Sequence, residues 1–123
     1  MNPIQTVLVL ALVLGLASAA CFGTGQSWGS AADKQKASAY LTDVCNQLAG
    51  SYQASTIKSQ CRDGNDNTRY NFSVKHISGG ERTLGQQECI DGLNKEIINC
   101  PRGGRTSYSN WEYTSDPNAG LCN

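Results

Sequence analysis

The chain is short of the residues that most catalysis uses. It holds one histidine, one methionine and three prolines, and its ten basic and ten acidic side chains cancel. A Ser-His-Asp or Cys-His mechanism would have to run through the lone histidine, His76. The lack of a basic excess argues against a nucleic-acid binder held by phosphate contacts. It argues equally against a polybasic membrane-surface protein. No two cysteines are spaced C-x-x-C, which speaks against a zinc site or a thioredoxin-type redox site. Long apolar runs are missing as well: Val7 to Leu14 falls short of the roughly 20 residues a membrane span takes.

That run has signal-peptide length, and the small residues Ala17-Ser18-Ala19-Ala20 follow it. Residues 1–20 therefore read as a signal peptide cleaved after Ala19 or Ala20. The segment before the run, MNPIQT, carries no Lys or Arg, so the amino terminus alone supplies positive charge. Acylation of Cys21 as a lipoprotein is the weaker alternative, because Ser18 stands where a Leu-like residue is expected. The mature part, 21–123, is the length of one domain and is expected outside the cell. It contains all six cysteines, Cys21, Cys45, Cys61, Cys89, Cys100 and Cys122. After a signal peptide these read as three disulfides, each contributing about 2–4 kcal/mol by restricting the unfolded chain. Spacing does not choose among the pairings.

The order of elements follows from periodicity. Ser30 and Asp33 form a capping-box pattern, and Ala37, Tyr40, Leu41, Val44, Cys45 and Leu48 recur at helical spacing. A helix is expected over about 31–48, stopped by Gly50. Strands are expected at 55–62 and 68–78 around the turn Asp63-Gly64-Asn65-Asp66-Asn67. In the second strand Tyr70, Phe72, Val74 and His76 alternate with Arg69, Asn71, Ser73 and Lys75. Thr83 with Gln86 suggests a second capping box, and Cys89, Ile90, Leu93, Ile97 and Cys100 continue at helical spacing. Gly85 and Gly92 weaken that helix by about 1 kcal/mol each relative to Ala. A last strand is expected over Ser107–Thr114, with a turn at Asp116-Pro117-Asn118-Ala119-Gly120, and a first strand could lie near Phe22. Nearby strands pair antiparallel most easily, so the class is α+β with an antiparallel sheet and two main helices.

Each candidate for chemistry has a plainer reading beside it. His76 falls on the apolar face of its strand, which favours a structural histidine. His76, Glu81 and Arg82 could serve a small secreted ribonuclease, yet nothing in the spacing brings a second proton-transfer group to His76. The 63–67 turn begins like a calcium loop and then fails, with Thr68 in place of the sixth-position Gly and Val74 in place of the twelfth-position Glu. No metal site and no cofactor are expected. Glu88, Asp91 and Glu96 could pair as glycosidase carboxylates but read better as a solvated helix face. Asn71-Phe72-Ser73 is an N-glycosylation sequon on the polar side of its strand.

The aromatics near the C-terminus remain. Trp111 and Tyr113 share one side of the expected last strand with Ser107 and Ser109; Tyr108, Asn110, Glu112 and Thr114 share the other. An aromatic ring stacks on the CH-rich face of a sugar while amides and carboxylates bind its hydroxyls, the sparse polar set of a ligand site. Burial in a small core is the competing role for Trp111. On this chemistry the candidate carbohydrate-binding residues are Trp111, Tyr108, Asn110, Glu112, Arg105 and Trp28.

The segments Glu88-Cys89-Ile90-Asp91-Gly92-Leu93, Glu96-Ile97-Ile98-Asn99-Cys100, Arg102-Gly103-Gly104, Ser109-Asn110-Trp111-Glu112-Tyr113 and Asp116-Pro117-Asn118-Ala119-Gly120 carry a family resemblance. So do Cys21-Phe22-Gly23, Ser27-Trp28-Gly29 and Ile77-Ser78-Gly79-Gly80. Together they resemble the small secreted glycan-binding proteins of mushrooms, of the ink-cap lectin type. That resemblance implies one disulfide-stabilised domain built as an α-β-α sandwich. It implies binding to oligosaccharides on glycoproteins, and a defensive, cytotoxic or antiviral role. The expected protein is not an enzyme, binds no nucleic acid and does not insert into membranes. A killer-toxin-like or necrosis-inducing effector is the alternative, with a small ribonuclease behind it.

Overall fold

Alternation along Thr68–His76 decides how the chain folds. Thr68, Tyr70, Phe72, Val74 and His76 are buried, while Arg69, Asn71, Ser73 and Lys75 point the other way. This is a strand with one covered face. The computed structural model describes residues 21–123, so the expected signal peptide at 1–20 lies outside the described residues. In chain order the elements are α1 (Ala31–Ala39), α2 (Leu41–Leu48), β1 (Gly50–Tyr52), β2 (Ile57–Asp63), β3 (Thr68–His76), β4 (Arg82–Leu84), α3 (Gln86–Asn99), β5 (Gly104–Tyr108) and β6 (Trp111–Ala119). The main sheet runs β2-β3-β6-β5, antiparallel throughout, and β1 pairs with β4 in a separate ribbon.

The expected 31–48 helix is two segments. Its start is the reciprocal cap: Ser30 Oγ accepts from the Asp33 N–H, and the Asp33 carboxylate accepts from the Ser30 N–H at 2.8 Å. Between the segments Tyr40 keeps helical angles, φ −68° and ψ −20°. One apolar stripe therefore runs through both, and Ala37, Leu41, Val44, Cys45 and Leu48 are all buried. The second capping box does not form. Thr83 pairs with Ser51 in the ribbon, and α3 begins at Gln86 after Gly85, which costs the helix nothing because it lies outside. Gly92 is inside, and the Tyr113 ring packs on it: a Cβ there would stand 2.4 Å from Tyr113 Cε1.

The expected last strand is a hairpin of β5 and β6, turning at Ser109-Asn110 with Ser109 at φ 60°. Most of the expected 116–120 turn is strand instead. Pro117 pairs with Tyr70 on β3, but β5 ends at Gly104 opposite Ser115. The proline thus has no ladder partner on its second side, where its missing N–H costs little. Near Phe22 the chain forms one bridge, Cys21 to Gly104, rather than a strand.

All three helices lie against one face of the sheet. The Tyr70 hydroxyl donates to Asp33 O of α1 at 3.4 Å, Arg62 Nη2 meets Asp43 of α2 at 2.6 Å, and Ser115 Oγ donates to Leu93 O of α3 at 2.7 Å. The α+β class, the antiparallel sheet and the helical regions are as expected. Among the described residues the helices cover only the face that carries the aromatic side chains, giving two layers rather than the helix–sheet–helix sandwich implied by the resemblance; the other face is mainly polar, with Ile57 exposed at its edge.

The disulfides are Cys21–Cys100, Cys45–Cys89 and Cys61–Cys122. The second is buried and joins α2 to α3; the third ties the C-terminal tail to β2. Between the layers pack Trp28, Tyr52, Tyr70, Phe72, Trp111 and Tyr113 with the helix stripe. A fully buried side chain of this kind contributes about 1.5–3 kcal/mol. Among the described residues no helix is long and apolar enough to cross a membrane.

Candidate functional site: the uncovered sheet face

The strand pleat that buries the aromatics turns a second set of side chains outward. Strand register arranges them in rows across the sheet. One row is Ser59, Ser73, Thr114 and Arg105; the next is Cys61, Asn71 and Asp116. On either side lie Ile57 and Lys75 with Glu112 and Ser107, and Asp63 with Arg69 and Asn118. Small residues in the first row leave a shallow depression, lined by Ser59, Ser73 and Thr114 and edged by Asn71 and Asp116.

These side chains hold one another. Asn71 Oδ1 accepts from Arg69 Nε at 3.2 Å and from Asn118 Nδ2 at 2.8 Å. Asn118 Nδ2 also lies 3.2 Å from Asp116 Oδ2. Arg105 Nε donates to Thr114 Oγ1 at 3.1 Å and stands 3.9 Å from the Glu112 carboxylate. Groups fixed in this way lose less rotamer freedom on meeting a ligand. The face offers guanidinium and amide donors beside carboxylate and hydroxyl acceptors. That is the complement of a polyhydroxylated ligand, with no strong field of either sign.

The sequence candidates fall in three places. Trp111 and Trp28 are only 2% and 3% exposed, so neither can stack on a sugar. Trp111 packs edge-on to Tyr52 with centroids 5.0 Å apart, and Trp28 Nε1 donates to Cys100 O at 2.9 Å. Tyr108 is exposed but pairs with Trp111 across the hairpin, so it lies on the helix side. There Lys95 Nζ sits 3.5 Å from its ring centroid, in a cleft with Glu88, Asp91, Gly92 and Tyr113. The hairpin turn resets the alternation, which is why Tyr108 does not share a face with Glu112. Asn110 is in that turn, its carbonyl accepting from the Ile77 N–H at 2.9 Å. Of the candidate set, only Arg105 and Glu112 stand on the uncovered face. Asn71, Ser73, Thr114, Asp116, Asn118 and Ser59 were not among the sugar candidates. The polar side of β3 was visible in its alternation, but Asp116 and Asn118 were hidden in an Asp-Pro-Asn pattern that reads as a turn.

The other candidates take structural positions. His76 is fully buried, with Nδ1 3.1 Å from Gln53 O and Nε2 2.9 Å from Ser78 Oγ. Arg82 Nε donates to Ser78 Oγ at 3.2 Å, and the Glu81 carboxylate accepts from Ser51 and Gln53, so neither bonds to His76. In the 63–67 turn Asp63 Oδ1 accepts from the Cys122 N–H at 2.7 Å, and Asn65 bridges Lys36 and Asp33. Among the described residues no group of three or more His, Cys, Asp or Glu could hold a metal. Glu88 and Asp91 are solvated, but Glu96 is buried, against expectation, because α3 turns it toward Thr106 on β5. No protein-family model matches the chain, and no curated protein matches it.

Proposed function

We propose that this chain is a secreted glycan-binding protein that takes oligosaccharides of glycoproteins onto the uncovered sheet face, without metal, cofactor or catalysis. The observation that carries this reading is the mutually tethered polar face around Asn71, Thr114, Asp116 and Arg105. Its groups are spaced by strand geometry, about 4.7–4.9 Å between neighbouring strands, which is comparable with the spread of hydroxyls on one pyranose ring. The resemblance to mushroom glycan-binding proteins supports the same class, and with it a defensive or cytotoxic role. Three disulfides fit an oxidising, extracellular setting. The full burial of His76 weighs against a ribonuclease.

A glycan array probed with the disulfide-intact chain, made without N-glycans, tests the reading. Binding to a defined oligosaccharide set, retained in a chelator and weakened by Asp116→Asn, is the expected result. Absence of binding to every glycan, together with killing of intact cells, would instead favour the toxin-like alternative.

A further inference from the structure

Asn71 belongs to the sequon Asn71-Phe72-Ser73, and it occupies the middle of the uncovered face. In the register it lies between Cys61 on β2 and Asp116 on β6. Its two amide atoms have different fates. Oδ1 accepts from Arg69 and Asn118, whereas Nδ2 has no protein partner among the described residues. Nδ2 is the atom that N-glycosylation uses. Phe72, the middle residue of the sequon, points into the core, and Ser73 returns to the same outer face as Asn71.

We infer that Asn71 carries an N-linked oligosaccharide that lies over the uncovered face and blocks its use, so that the glycosylated chain is a masked form. This rests on the binding site proposed above. In the reaction the Nδ2 nitrogen forms a bond to the anomeric carbon of a lipid-diphosphate-linked oligosaccharide. The anomeric carbon–oxygen bond breaks, the lipid diphosphate leaves, and one amide proton is released. One N–H hydrogen and the carbonyl oxygen remain, so the Arg69 and Asn118 bonds survive the modification. The sheet therefore keeps its geometry while its face is covered. A branched oligosaccharide is longer than the roughly 13 Å, four residues of strand, between Asn71 and Lys75 at the end of β3.

The experiment compares two preparations of the same chain, one from a secreting eukaryotic host and one from a bacterial periplasm that forms disulfides but adds no N-glycan. Intact mass and glycopeptide sequencing report occupancy at Asn71. Acylation by an N-hydroxysuccinimide ester reports cover: Lys75 is exposed on the masked face, and Lys34 on α1 lies on the other side of the molecule as internal control. The expected result is an occupied Asn71, Lys75 acylated several-fold more slowly than in the bare chain with Lys34 unchanged, and array binding by the bare chain only. Trimming the glycan to one sugar with an endoglycosidase should restore Lys75 acylation. An unoccupied Asn71, or an occupied one with Lys75 and glycan binding unaltered, overturns the inference. If Asn71 is occupied and Lys75 is shielded but neither preparation binds any glycan, the cover stands and the glycan-binding reading falls.

Discussion

Glu96 is the residue whose chemistry is most at odds with its place. It is buried, its Oε1 accepts from the Thr106 hydroxyl, and its Oε2 has no partner among the described residues. Burial raises its pKa above the ordinary carboxylate value, while the Thr106 bond and the Lys95 charge act the other way. The folded state therefore holds this proton more tightly than the unfolded chain does. Stability is greatest where both states are protonated and falls as pH rises through the unfolded pKa toward the higher folded one. Glu96→Gln removes that loss. Its melting temperature should exceed the wild type's at pH 7.5, by the equivalent of about 1–3 kcal/mol for one unsatisfied buried group, and approach it near pH 4. Thermal unfolding at both pH values decides it, and a gap that does not change with pH would clear the carboxylate. Spacing held the position but not the burial of a charge: Glu96 stands seven residues after Cys89 and three after Leu93, on the buried stripe of α3, while its residue type reads as solvated. His76 was legible, because its place in the β3 alternation already put it inside.

Helices and strands were legible in proportion to how regular their patterns are. The α1–α2 stripe and β3 follow from spacing alone, since each keeps one period for several turns or pleats. The β1–β4 ribbon is three residues per strand, too short to show a period, and it captured Thr83 from the expected helix cap. The β5–β6 hairpin was compressed into one strand because Ser109 and Asn110 lack the usual Asn-Gly or Asp-Gly signal. Gly92 shows the converse, a helix weakness with a purpose at the level of packing. Gly92→Ala should gain about 1 kcal/mol of helix propensity. The new Cβ would however meet the Tyr113 ring at 2.4 Å, and overpacking costs about 1–3 kcal/mol. The net expectation is a lower denaturation midpoint. In a double-mutant cycle with Tyr113→Leu the loss should shrink, because the ring atoms that clash are gone. Additive losses would place the cost of Gly92→Ala elsewhere.

For the molecule as a whole, the division between the two faces of one sheet matters most. The aromatic side holds the layers together with Cys45–Cys89, and the polar side is left open. This also explains where the sequence candidates fall: the tryptophans suited to stacking, Trp28 and Trp111, are the ones the core needed, and they are buried between the layers. Stability and binding should then separate by face. Trp111→Ala leaves a large void beside Tyr52 and His76, whose rings lie 5.0 and 5.1 Å away. A buried aromatic-to-alanine change costs about 3–5 kcal/mol, enough to unfold a marginal domain. Arg105→Ala removes an exposed side chain whose bonds are to Thr114 and Glu112, a class of change usually within about 0.5 kcal/mol. It should leave the melting temperature unchanged and lower the affinity of the bare chain for the oligosaccharide it selects on an array. Paired measurements of melting and binding on both variants test this. If Trp111→Ala folds normally and alone abolishes binding, the ligand lies on the helix side, near Tyr108 and Lys95, and the assignment of the two faces is reversed.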